Sequence, residues 1–130
     1  LSIYAENKKG ALQAMTNALY EAGINIWGSV TNDGAEYGIN RMVVSDPDKA
    51  KEVLTEKGYL CRFVDVLAVE IEDKPGALNA LLTALLDSNV NVDYTYLSFN
   101  RDSSTPVMIL HTADPEEVEI CLKAKGFKMV

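Results

Sequence analysis

Hydrophobic and polar residues follow the same order twice along the chain. The first half reads as a strand over Leu1 to Ala5, a helix from Ala11, two strands over Ile24 to Thr31 and Glu36 to Val44, a second helix, and a last strand over Tyr59 to Val64. Strict alternation is typical of half-buried strands, and apolar residues three or four apart are typical of helices. The pattern therefore predicts a β-α-β-β-α-β unit.

The second half repeats this pattern at an offset of 66 positions up to the hairpin and 68 positions after it. Its predicted strands cover Leu67 to Ile71, Val90 to Phe99, Val107 to Thr112 and Phe127 to Val130. The register is fixed by short matches at the turns, of which the clearest are Gly23-Ile24-Asn25-Ile26 with Asn89-Val90-Asn91-Val92 and Asp46-Pro47 with Asp114-Pro115. A repeat at a fixed offset indicates a duplicated structural unit.

Residues that favour caps and turns bound the second helix of each unit. Asp46 and Asp114 are predicted N-caps, each followed by a proline suited to the first helical position. Glu117, three residues after Asp114, fits a capping box, and Gly58 and Gly126 are predicted to end these helices.

The first helix of each unit is predicted to end at Gly23 and at Asn89, the residue types that best adopt the left-handed conformation. Asn32-Asp33-Gly34 is a hairpin signal between the two middle strands of the first unit.

The predicted fold class is α+β, with two ferredoxin-like βαββαβ units packed side by side into a larger antiparallel sheet with helices on one face. The expected domains are residues 1–65 and 66–130. Because Asp65-Val66 leads into the next strand without a Gly- or Ser-rich linker, we expect the halves to pack as one rigid body.

Composition narrows the range of functions that the chain could have. The chain is 48% hydrophobic and 24% charged, as expected of a packed protein, and its net charge of −7 argues against nucleic acid and anionic membranes as partners. Cys61 and Cys121 have no metal-ligand spacing, so neither a metal site, a disulfide framework nor a cofactor is expected. The sequence has no membrane-length apolar segment and no signal peptide, and the expected location is the cytoplasm.

The candidate site is the turn between the first strand and first helix of the second unit, Asp73 to Leu78. Gly76 lets a ligand approach the backbone, and the N–H groups around Gly76, Ala77 and Leu78 form a cradle for a carboxylate. Asp73 or the side-chain carbonyl of Asn91 could accept an ammonium group. These residues together suit a free amino acid.

At these residues the chain resembles the ACT family, whose signature is an Asp- or Asn-containing turn, Pro-Gly-x-Leu, a helix, and Gly-x-Asn-Ile. The resemblance implies a regulatory protein rather than an enzyme, a homo-oligomer such as a dimer, and amino acids bound at the interface between two ACT-like domains. The binding residues that it implies are Asp73, Gly76, Ala77, Leu78 and Asn91 in one copy and Asn7, Gly10, Ala11, Leu12 and Asn25 in the other.

The two copies depart from the family pattern in ways that predict unequal sites. Serine-binding members have a His two positions before the Asp or Asn of the turn, where this chain has Ala5 and Ile71, so a serine-type site is not expected. Lys9 replaces the usual Pro in the first copy, and Asn7 differs in charge from Asp73.

The main rival is a ligand-free module whose sheets serve only dimerisation or docking. The glycines and asparagines of the turns would then have a purely structural role. His111 is interpreted as a hydrogen-bonded structural residue, and Cys61 and Cys121 as core residues. The aromatic residues of the second strands are interpreted as part of ordinary sheet packing or of an oligomer interface, with the interface favoured: Trp27, Tyr94, Tyr96 and Phe99.

Overall fold

The computed structural model describes residues 2–6, 10–32 and 37–130. The chain divides into two compact units, Leu1–Val64 and Asp65–Val130. Asp33 and Gly34 of the predicted hairpin lie outside the described residues, as do Asn7 and Lys9. Within the described ranges, no helix combines the length and the apolar character that crossing a membrane requires.

The first unit has the predicted element order. Its elements are β1 (Ser2–Glu6), α1 (Ala11–Glu21), β2 (Ile26–Asn32), β3 (Tyr37–Val44), α2 (Pro47–Glu56) and β4 (Leu60–Arg62). The four strands pair in the order β4-β1-β3-β2, and every pairing is antiparallel.

The second unit repeats this arrangement. Its elements are β5 (Leu67–Glu70), α3 (Ala77–Asp87), β6 (Tyr94–Phe99), β7 (Pro106–His111), α4 (Pro115–Ala124) and β8 (Lys128–Met129). Its strands pair antiparallel in the order β6-β7-β5-β8. The predicted α+β class and the ferredoxin-like units are therefore confirmed, while the packing of the two units into one larger sheet stays a prediction.

Each unit has its own core, and the two cores use equivalent positions. Ile3, Met15, Leu19 and Leu54 are fully buried in the first unit, and at the same offsets the second unit has Val69, Leu81, Leu85 and Leu122. Residues from both helices of a unit join alternate residues of its strands in one cluster. Both helices therefore lie on the same face of the sheet, because alternate strand residues point to one side.

Two equivalent core positions differ in polarity. Asn40 stands where Met108 stands in the second unit, and Thr112 stands where Val44 stands in the first. All four residues are at most 7% exposed. Asn40 Oδ1 and Thr112 Oγ1 are both buried without a hydrogen-bond partner among the described residues. At these two positions, therefore, each copy has a buried polar side chain where the other copy is apolar.

The second strands begin later than predicted, because the residues after the helix close its last turn instead. Gly23 and Asn89 adopt the left-handed conformation, with φ of +73° and +58°, as predicted. The next N–H groups then donate back to the helix, Ile24 to the carbonyl of Leu19 at 3.0 Å and Val90 to that of Leu85 at 2.9 Å.

Both predicted N-cap positions are confirmed, but only one of the two aspartates makes a capping hydrogen bond. The side chain of Asp46 accepts a hydrogen bond from the N–H of Lys49 at 3.2 Å. Asp114 occupies the equivalent N-cap position of α4, but its side chain makes no capping hydrogen bond, so it does not cap in the capping-box pattern with Glu117. Asp114 adopts φ −125° and ψ 74°, close to the φ −141° and ψ 88° of Asp46, so the difference lies in the orientation of the side chain.

Candidate functional site

The turn before α3 has the conformation that the sequence analysis required of it. Gly76 has φ +86° and is the N-cap residue of α3, and its carbonyl accepts the N–H of Ala80 at 2.8 Å. No described side chain caps this helix end. Since the first N–H groups of a helix have no partner within the helix, the first turn of α3 still has donors to offer.

One of the predicted donors is already used. The N–H of Ala77 donates to the carbonyl of Lys74 at 3.2 Å, closing the turn. Ala77 is therefore not a free donor in this conformation. The cradle therefore depends on the other N–H groups of the first turn, among them that of Leu78. Leu78 is 39% exposed.

Gly76 also leaves open space in front of the helix. A Cβ atom built on it would meet no described atom within 4 Å. Its backbone conformation is one that L-residues adopt with strain. Glycine is thus required here by the backbone dihedral angle, and the space beside it is free for a ligand.

A cavity of about 400 Å³ lies beside this turn, entirely within the second unit. Its apolar lining comes from Ile71, Ala77, Ala80 and Phe127. The rest of the lining comes from Thr105, Gly126 and four charged residues: Glu70, Glu72, Lys74 and Lys128. Cavities that bind small molecules commonly combine an apolar lining with a few polar groups, and they start at about 300 Å³.

The four charged residues form two ion pairs. Lys74 Nζ lies 2.7 Å from Glu72 Oε2, and both side chains are well exposed. Lys128 Nζ lies 3.3 Å from Glu70 Oε2, an atom that is buried and has no hydrogen bond of good geometry. Glu70, Glu72 and Lys128 were not predicted as site residues, and Lys74 lies in the predicted turn without a predicted role. The opposite charges in Glu72-Asp73-Lys74 were a visible signal in the sequence.

Asp73 is exposed, and it is not one of the described residues that line the cavity. Its role in holding an ammonium group stays a prediction. In the geometry of the second unit, Glu70 and Glu72 are better placed for that role.

Asn91 lies at the other end of the unit. The helix α3, which separates it from Gly76, has eleven residues and is about 16 Å long at 1.5 Å per residue. The amide of Asn91 contacts Asp93 Oδ1 at 3.4 Å. Within one unit, an amino acid cannot contact both Asn91 and the Gly76 turn.

His111 completes a small polar cluster around Asn91. His111 Nδ1 lies 2.8 Å from Asp93 Oδ2, and its ring stacks on that of Tyr94 with centroids 4.9 Å apart. This geometry agrees with a hydrogen-bonded structural histidine. Tyr94 also stacks on Tyr96, which is 7% exposed, and the interface role of these aromatic residues stays a prediction.

The first unit has an equivalent turn. Gly10 has φ +82° and is the N-cap residue of α1, and no capping hydrogen bond from a side chain is found for this helix in the described part of the chain. Leu12 is 48% exposed and Ala11 is half-buried. The N–H of Asn25 donates to Ser45 Oγ at 2.9 Å, at the opposite end of α1.

The described residues contain no cluster of three His, Cys, Asp or Glu side chains that could hold a metal ion. Both cysteines are free. Cys61 belongs to the first core, and burial raises the pKa of its thiol. Cys121 is half-buried, with its sulfur 3.0 Å from Ser88 Oγ.

The fold and the two glycine turns define a tandem of small α+β domains. The model of the ACT domain pair family matches residues 1–129, so the chain belongs to this family of regulatory domains. No curated protein matches the chain.

Solved structures share the fold. Protein BT0572 from Bacteroides thetaiotaomicron is similar over 99% of this chain and 88% of its own, with 29% identity and a TM-score of 0.90. The regulatory subunit of aspartate kinase from Thermus thermophilus, in a ligand-free form, is similar over 95% of this chain and 90% of its own, with 15% identity and a TM-score of 0.65. Aspartokinase alpha and beta subunits are similar over 93% of this chain and 88% of the matched chain, with 15% identity and a TM-score of 0.60.

Proposed function

We propose that this ACT domain pair is a regulatory protein that binds a free amino acid at its strand–helix turns. The observation that carries the proposal is the uncapped start of α3 at Gly76, beside a cavity of about 400 Å³. The helix dipole contributes about 0.3 to 1 kcal/mol towards a carboxylate there, and each hydrogen bond to the charged group about 1.5 to 3 kcal/mol.

The cavity supports a zwitterion as the ligand. Lys74 and the N–H groups of α3 favour the carboxylate, whereas Glu70 and Glu72 favour the ammonium group. Ile71 and Phe127 offer apolar contact to a side chain. Because backbone groups recognise what all amino acids share, the identity of the ligand depends on the lining side chains.

The role implied for Asn91 needs a second domain. Since Asn91 and the Gly76 turn lie at opposite ends of α3, they serve the same ligand only if they belong to different ACT domains. A site shared between two domains stays a prediction, and the same holds for Asn25 and the Gly10 turn.

A thermal-shift screen tests the proposal. A ligand present at a hundred times its dissociation constant stabilises a protein by about 2.7 kcal/mol, which is a readily measured rise in melting temperature. We expect at least one of the twenty free amino acids to produce such a rise, and calorimetry then gives its stoichiometry. If neither these nor common pathway intermediates shift the melting temperature, the chain is a ligand-free module.

A feature of α3 favours self-association beside ligand binding. Leu78, Leu82 and Leu86 are spaced four residues apart, and they are 39%, 39% and 75% exposed. No formal charge interrupts the helix before Asp87. Because the chain carries a net charge of −7, an uncharged face is where a second copy meets least repulsion. We therefore propose a homodimer that uses this leucine stripe.

We propose that this regulatory pair acts on a regulated protein partner. The regulated partner and the cytoplasmic location stay proposals from the sequence. Membership of the ACT domain pair family supports the regulatory role.

A further inference from the structure

Asn40 is a buried polar residue on the helix-facing side of the first sheet. It lies opposite Ile3 in the pairing of β1 with β3, and Ile3 belongs to the core beneath the helices. Asn40 is 2% exposed. At the equivalent position the second unit has Met108, so the fold accepts an apolar residue there.

The hydrogen bonds of Asn40 fix two hydroxyl groups on β2. Its Nδ2 donates to Ser29 Oγ at 3.2 Å and to Thr31 Oγ1 at 2.7 Å, which uses both amide hydrogens. Each hydroxyl oxygen accepts from Asn40, so each hydroxyl hydrogen is left to donate elsewhere. Ser29 and Thr31 are both exposed. The arrangement therefore presents two O–H donors to the outside.

This arrangement costs the fold stability. Asn40 Oδ1 is buried with no hydrogen-bond partner among the described residues. An unsatisfied buried polar group is unfavourable, and each one in a folded protein needs an explanation. Positioning the hydroxyl groups of Ser29 and Thr31 supplies that explanation, because an apolar residue such as methionine could not hold them.

The donors lie on the same side and towards the same end of the first unit as the Gly10 turn. Ser29 and Thr31 pair with Met42 and Asn40, which face the helices. The strands β1 and β2 are both antiparallel to β3, so they run in the same direction. Thr31 is the penultimate residue of β2, at the end of the sheet where β1 leads into Gly10.

We propose that Ser29 and Thr31, positioned by Asn40, form a subsite that binds a side-chain oxygen of the amino acid held by the first unit. The proposal rests on the proposed function and names its ligand class. Carboxylates and carboxamides both offer the oxygen acceptor that two hydroxyl donors require. The first unit therefore selects aspartate, glutamate, asparagine or glutamine over apolar amino acids of similar size.

The second unit lacks this subsite. Thr95 and Leu97 replace Ser29 and Thr31, and Leu97 is 50% exposed. Without a buried asparagine and with only one hydroxyl group, this surface suits an apolar ligand side chain. The unequal sites expected from the turns thus differ in chemistry as well as in affinity.

Titration calorimetry tests the subsite. The double variant Ser29→Ala, Thr31→Val removes both donors and leaves their approximate shapes. We expect its affinity for the preferred oxygen-bearing amino acid to fall about tenfold or more, since tenfold corresponds to the loss of one good hydrogen bond. Titrations with aspartate, asparagine, glutamate and glutamine separate carboxylate from carboxamide ligands and the shorter from the longer side chain.

Two controls separate the possible outcomes. Thr95→Val removes the corresponding hydroxyl of the second unit and should leave the affinity for the preferred oxygen-bearing amino acid unchanged. Asn40→Met should raise the melting temperature and lower the same affinity, which a purely structural asparagine would not do. If the wild type binds an amino acid and the double variant binds it equally well, the subsite is wrong and the proposed function stands. If the wild type binds none, both are wrong.

Discussion

Gly76 and Gly58 have nearly the same positive φ, +86° and +90°, but of the two only Gly76 stands at the start of a helix. Alanine at either position should cost about 1 to 2 kcal/mol of stability, because the left-handed conformation is strained for L-residues. Only Gly76→Ala should also weaken ligand binding, because its Cβ would enter the space beside the α3 N-terminus. Chemical denaturation and calorimetry measure the two effects.

Gly58→Ala is the matched control for this comparison, since it carries the strain at the end of a helix, where no carboxylate cradle is proposed. Equal ligand affinity in the two variants would place the amino acid elsewhere on the molecule.

A second residue-scale prediction concerns Thr112, whose buried hydroxyl has no partner among the described residues. Thr112→Val replaces the hydroxyl with a methyl group of the same shape, and Val44 shows that the fold accepts valine at this position. We expect the free energy of unfolding to rise by about 1 kcal/mol. Urea denaturation measures it, with Thr112→Ser as the control that keeps the hydroxyl and should lower stability.

At the scale of single elements, α2 and α4 offer a matched pair of caps. Asp46→Ala should cost about 1 kcal/mol, because it removes the hydrogen bond to the N–H of Lys49. Asp114→Ala should cost only a few tenths, since Asp114 contributes its charge at the helix N-terminus but makes no capping bond. Denaturation midpoints of the two variants measure the two losses of stability. Equal losses would show that Asp114 caps α4 in solution.

The leucine stripe of α3 is also an element-scale feature. Leu86→Lys places a charge on the most exposed leucine of the proposed dimer contact and should convert the dimer to a monomer in light scattering. Ile120→Lys is the control, because Ile120 is similarly exposed at 70% but lies on α4. A wild type that is monomeric at high concentration would rule out the stripe as a dimer contact.

At the scale of the whole molecule, equivalent leucines probe whether the two units unfold together. Leu54 and Leu122 are both fully buried, and alanine at either should cost about 2 to 5 kcal/mol. If the units form one rigid body, as the missing linker predicts, both variants should show a single calorimetric transition at a lower temperature. Two transitions, with each variant lowering only one of them, would show that the units unfold independently.

Most of the fold could be predicted from the sequence, because the duplication checks each assignment twice. Positions such as Leu19 and Leu85 are buried in both copies, and the same spacing predicted both helices. The predicted start of β6 at Val90 was wrong. Valine favours strands, but the N–H of Val90 closes the last turn of the preceding helix. Backbone hydrogen bonds at a helix end are decided by geometry that a hydrophobic pattern does not contain.

The candidate site was predicted in part. The turn and the left-handed glycine followed from the position of Gly76 between a strand and a helix, because few other residues allow that conformation. The separation of Asn91 from this turn did not follow, although a helix of eleven residues lies between them. Distances across a unit depend on which end of a helix a residue occupies.

The sequence by itself determined the duplication, the element order, the left-handed turns and the two cores, since each depends on local periodicity and on residues with restricted conformations. Only the tertiary structure decided which side chains meet across strands: Glu70 with Lys128, Asp93 with His111, and Asn40 with Ser29 and Thr31. These pairs join residues 9 to 58 positions apart in the chain. Strand register brings them together, and register is set by the packing of the whole unit.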